Sequence, residues 1–204
     1  MNAHADQTLL PRGGFLRPAL AAALTALPLM ASAHMGADAG GHHSFVDGLV
    51  HPFTGLDHLS AMLAVGLWSG LNARRAWVAP LSFASLLLVG ALLATAGLAF
   101  PAVEPMIAAS LLVIGLLLAS QRQLPAPVAA VLVGGFALFH GAAHGSELSA
   151  GPALAGMVLA TAALHLAGLG LGRWLKARGG LLPRVTALAG GAGMAAFGAS
   201  LLLG

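Results

Sequence analysis

Six long apolar runs, separated by short connectors, dominate residues 52–204. Their approximate spans are 52–71, 76–99, 103–120, 127–147, 152–172 and 184–203. Each is close to the roughly 20 residues that cross a hydrocarbon layer about 30 Å thick. The connectors carry Arg or Pro: Arg74-Arg75, Phe100-Pro101, Arg122 to Pro127, Gly151-Pro152 and Arg173 to Arg184. The pattern predicts an all-α membrane protein, a bundle of about six transmembrane helices over 52–204. It shows no soluble domain and no clear internal repeat.

The first 33 residues have a different rhythm. Arg12 and Arg17 precede a short apolar core, Leu20 to Met30, and Ala31-Ser32-Ala33 follows it. A basic flank, a short core and a small-x-small site predict a signal peptide over 1–33, cleaved after Ala33. The rival reading is an uncleaved first membrane helix, for which the core is short. Residues 34–51 are polar and glycine-rich, with His34, His42 and His43. They are expected to form an irregular periplasmic arm.

Composition closes off whole classes. The chain is 58% hydrophobic and 7% charged, with mean hydropathy +0.90. Soluble domains carry about 25% charged residues, so this chain cannot cover a water-facing surface. There is no cysteine, which excludes disulfides, iron–sulfur clusters and thiolate metal sites. The net charge of +3 invites a nucleic-acid reading. The placement of the charges argues against it. With the mature N-terminus outside, the connectors facing the cytoplasm hold Arg74, Arg75, Arg122, Arg173, Lys176 and Arg178, and Arg184 lies at the next boundary. The outward segments hold Asp38, Asp47, Glu104 and Glu147 and no Lys or Arg. That is the positive-inside pattern, and it puts both mature termini outside.

Two polar islands interrupt the apolar runs. His51-Pro52-Phe53-Thr54-Gly55-Leu56-Asp57-His58 stands at the leading edge of the first run. His140-Gly141-Ala142-Ala143-His144-Gly145-Ser146-Glu147 lies at the end of the fourth. An ionisable group at membrane depth is costly unless it faces the bundle interior and has a partner, so both islands are candidate sites. His51 and His58 are seven apart and share a helical face, whereas Asp57 points roughly 120° away from His51. Either the helix is irregular near Pro52 and Gly55, or Asp57 supports a histidine from behind. His140 and His144 are i and i+4, and Glu147 continues their face, which lets one helix offer two imidazoles to one metal. Gly141 and Gly145 admit a close neighbouring helix. Topology puts both islands at one depth, so they read as one site. Met62 fits packing or a soft ligand. His165 fits a histidine satisfied by a backbone carbonyl, or a ligand. The arm histidines fit a solvated surface or metal collection.

Imidazole with carboxylate and no thiolate suits Ni(II), Co(II), Zn(II) or Mn(II) better than Cu(I). Imidazole must be deprotonated to bind, so binding is expected to weaken as pH falls.

HPFTGLDH followed by LSAMLAVGLWS, together with FHGAAHGSE, resembles the HupE/UreJ family of nickel and cobalt permeases. The resemblance extends over the whole layout, and its more specific motif, H-P-x-x-G-x-D-H, is intact. It implies secondary uptake of Ni(II) or Co(II) across the bacterial inner membrane, with His51, Asp57, His58, His140, His144 and Glu147 lining the metal path. It implies no prosthetic group and no enzyme activity; the partners are the transported ion and the bilayer, without nucleic acid. No protein partner can be named from the sequence. A membrane-embedded zinc hydrolase would use the same cluster, with Glu147 as general base. A b-type haem protein would use histidines from two helices as axial ligands. A transporter differs from a hydrolase in needing polar or small groups that continue to the cytoplasmic side, for which Thr161, His165 and Ser69 are the candidates.

Overall fold

The computed structural model describes residues 44–148 and 151–204. The signal-peptide expectation and His34, His42 and His43 fall outside the described residues. Seven α-helices follow one another: α1 Phe45–Thr54, α2 Leu56–Asn72, α3 Val78–Thr95, α4 Val103–Ser120, α5 Ala126–Glu147, α6 Pro152–Arg178 and α7 Leu182–Leu203. No strand occurs among the described residues. Helices α3 to α7 are each long and apolar enough to cross a membrane. Helix α2 has 17 residues and is continued by α1 across a break at Gly55. The protein is an all-α, multi-pass membrane protein.

Two boundaries differ most from the sequence expectation. The first helix begins at Phe45, inside the stretch expected to be an irregular arm. Ser44 Oγ accepts the Asp47 amide and Asp47 Oδ2 accepts the Ser44 amide, both at 3.1 Å, which closes a capping box. Helix α6 runs to Arg178 and absorbs Arg173, Lys176 and Arg178, expected in a connector. Lys and Arg are good helix formers, and cations are favoured at a helix C-terminus. Leu175 stays buried, and Arg178 sits over the Trp174 ring at 4.8 Å. The helix stops at Gly179, whose φ of +65° suits glycine and whose amide caps the last turn.

Glycines glue the helices into groups. A side chain at Gly141 would collide with the backbone of Leu87 and Ala91, and one at Gly90 with Leu138, so α3 and α5 touch backbone to backbone. The same holds for α2 and α6 at Gly66, Gly70, Gly168 and Gly172. Helix α1 joins α6 at Gly48 and Gly156. Helix α4 joins α7 at Gly115, Gly191 and Gly198. Close approach of this kind is how membrane helices associate where lipid offers no hydrophobic drive. Three groups result: α1–α2–α6, α3–α5 and α4–α7. Leucines such as Leu92, Leu116, Leu166 and Leu188 are exposed, as lipid-facing positions are.

Candidate metal centre

The two polar islands meet on the seam between the α1–α2–α6 group and the α3–α5 group. Helix α1 ends beside it for local reasons. Pro52 offers no amide to the helical ladder, Thr54 Oγ1 donates to the His51 carbonyl at 2.7 Å, and Gly55 is extended (φ −94°, ψ 116°). The break turns α1 and α2 separately, so His51 and His58 both reach the seam without Asp57 having to.

At the exposed end of the cluster, His51 Nε2 lies 3.0 Å from Glu147 Oε2. Ligand atoms of His51, His144 and Glu147 all fall within 4.8 Å of one another. Glu147 is the exposed member, with 40% of its side chain open, and His144 is fully buried. Deeper in, ring centroids step from His51 to His144 at 4.7 Å, to His58 at 4.2 Å and to His140 at 4.8 Å. The four imidazoles alternate between α1–α2 and α5 across the seam.

Two of these rings are each held by a neighbour at one nitrogen. Asp57 Oδ1 lies 3.0 Å from His58 Nδ1 and also accepts the His58 amide at 2.8 Å. A carboxylate only accepts, so Nδ1 carries the proton and Nε2 the lone pair. Asp57 thus stands behind His58, and the helix is irregular as well; both sequence alternatives hold together. The amide end of α2 also places partial positive charge beside this buried carboxylate. On the other side, Ser110 Oγ donates to the Ile107 carbonyl at 2.7 Å and lies 2.8 Å from His140 Nε2. With its proton on the Ile107 carbonyl the hydroxyl can accept Nε2–H, the arrangement that leaves the lone pair on His140 Nδ1. That nitrogen is buried and has no hydrogen-bond partner among the described residues. Orientation of a ligating histidine through its other nitrogen is a habit of metal sites.

The chain matches the family described as HupE / UreJ protein over residues 22–201. It belongs to the HupE/UreJ family. Protein HupE of Rhizobium leguminosarum bv. viciae is 43% identical over 187 residues, spanning 89% of this chain and 95% of that protein. No solved structure matches.

Within this HupE/UreJ protein, some residues sit apart from the cluster. Met62 is fully buried in the apolar core. His165 lies further along the seam, its Nδ1 2.8 Å from the Thr161 carbonyl. Phe83 of α3, fully buried, stands between His140 (5.5 Å) and His165 (5.0 Å). Sequence reasoning missed Ser110 and Phe83. A serine in the middle of the apolar run 103–120 was a usable signal, because a polar group in a span asks for a partner. Phe83 carries no such mark.

Proposed function

We propose that this protein is a permease that takes up Ni(II) or Co(II) across the bacterial inner membrane, with His51, Asp57, His58, His140, His144 and Glu147 as its capture site. The observation that carries the reading is the convergence of the two islands, from helices of different groups, on one seam. Four imidazoles and a carboxylate there form a donor set of borderline character, suited to these ions. His51, His144 and Glu147 meet the ion at the mouth, and His58 and His140 receive it deeper, each held by Asp57 or Ser110. Cleavage after Ala33 leaves the mature N-terminus and the mouth outside, and the arginines keep the opposite end in the cytoplasm. The metal is cargo, and no resident cofactor is needed.

Energy for uptake can come from the membrane potential. At about 2.3 kcal/mol per charge per 100 mV, a divalent cation gains about 4.6 kcal/mol on moving inward. That supports roughly three decades of accumulation at about 1.36 kcal/mol per decade.

The test is uptake of labelled nickel and cobalt in cells expressing wild type or His58→Ala at matched membrane levels. The variant is expected to lose accumulation of both metals. Accumulation equal to wild type sinks the reading.

A further inference from the structure

The ring row does not end at the cluster. Beyond Phe83 it reaches His165, midway along the 27-residue α6. Thr161 lies one turn away on the same face. Both are buried in full or nearly so, at 0% and 3% exposure.

Part of their polar surface is buried without a hydrogen-bond partner among the described residues, as His140 Nδ1 of the cluster also is. The Thr161 carbonyl accepts His165 Nδ1–H, which leaves the lone pair on Nε2. His165 Nε2 and Thr161 Oγ1 have no hydrogen-bond partner among the described residues. The hydroxyl of Ser69 is likewise fully buried and unpartnered. Burial alone does not explain this. Ser110 is as buried, yet its hydroxyl donates to a backbone carbonyl one turn back. An unpaired buried donor or acceptor is destabilising, and such groups call for an explanation. Helical spacing puts Thr161 on the face of His165 and Ser69 on the face of His58. Eleven residues separate His58 from Ser69, so on a regular helix they point within about 20° of each other. The stripe His58, Met62, Val65, Ser69, Asn72 is buried along its whole length. It ends at a cleft of about 180 Å³ at the arginine-bearing end, which Asn72, Gln121 and Lys176 help to line.

We propose that His165 Nε2 and Thr161 Oγ1 form an inner station, beyond Phe83, at which the divalent cation rests on its way from the histidine cluster toward Ser69 and the arginine-bearing end. The inference rests on the permease reading. One imidazole and one hydroxyl bind a divalent ion far more weakly than the cluster does. Conduction needs that asymmetry, since an ion must also leave.

The test separates capture from passage. Nickel binding to the purified full-length protein is measured by equilibrium dialysis, and nickel uptake is measured in cells. His165→Gln keeps an N–H for the Thr161 carbonyl but removes the ring lone pair. Thr161→Val removes only an unpartnered hydroxyl and keeps the shape. Both variants are expected to bind nickel as wild type does. Uptake is expected to fall at least about tenfold in His165→Gln, the scale on which metal-site substitutions act, and less in Thr161→Val. Wild-type uptake in both variants overturns the proposal, because a packing role for His165 is met by Gln. Equal loss of binding and uptake in both also overturns it, because the two residues would then serve the cluster itself. The capture site is judged separately: if His58→Ala keeps wild-type binding and uptake, the cluster reading fails whatever the inner variants do.

Discussion

The two halves of the seam treat polar side chains differently. At the histidine end, polar groups are packed against one another: His51 against Glu147, His58 against Asp57, His140 against Ser110. In the half beyond Phe83, Thr161 Oγ1, His165 Nε2 and Ser69 Oγ are also buried and have no partner among the described residues, a state that His140 Nδ1 shares in the first half. The first half is built as a fixed, mutually oriented set. The second is a sparse trail. On the permease proposal, the dense donors would hold an ion and the sparse donors would let it pass.

Substitutions can break or sharpen that contrast. The largest effect is expected from Gly141→Ala, which forces a side chain into the α3 backbone beside His140 and His144. Overpacking of this kind costs about 1–3 kcal/mol. A lower melting temperature of the purified protein, with loss of nickel binding, is the expected result. Gly135→Ala, which meets open space, should change neither. Next is Asp57→Asn, which keeps the shape but weakens the hold on His58. Loss of an orienting partner typically costs about 10–100-fold in metal affinity, to be read by equilibrium dialysis. Ser110→Ala should weaken nickel binding less, by about tenfold at most, because it orients one imidazole of four and leaves the carboxylates in place. It does so by removing the partner of His140 Nε2. The smallest effect is from pH. Protons compete with metal for imidazole lone pairs, so uptake should decline steadily from neutral to acidic medium. Flat uptake over that range would remove histidine from the path.

Much of the scaffold was legible because membrane spans are long and their ends are marked. The expected run 103–120 is α4, and 127–147 differs from α5 by one residue at the start. The shared face of His140, His144 and Glu147 followed from helical period alone. Other features were hidden for physical reasons. Helix α1 is short and has its stability from packing on α6, and only the Ser44–Asp47 box marks its start. The partner of His140 is thirty residues away in sequence, on another helix. The role of Asp57 depended on whether the helix breaks, and that is decided at Gly55, where Pro52 and Thr54 act together.

The break at Gly55 has a mechanical consequence. Helix α6 lies against α1 at Gly48 and Gly156 and against α2 at Gly66, Gly70, Gly168 and Gly172. It therefore runs as a splint along both pieces of the broken rod. His51 and His58 stand on either side of the fracture, yet the helices that carry them both pack on one continuous helix. On the permease proposal, an arriving ion would meet donors already in position. Ordering a loose segment would cost roughly 1–2 kcal/mol per residue, and here that entropy is settled when the chain folds. Discrimination among cations is then left to the fixed spacing of the rings and to how well each ion's radius and geometry match it.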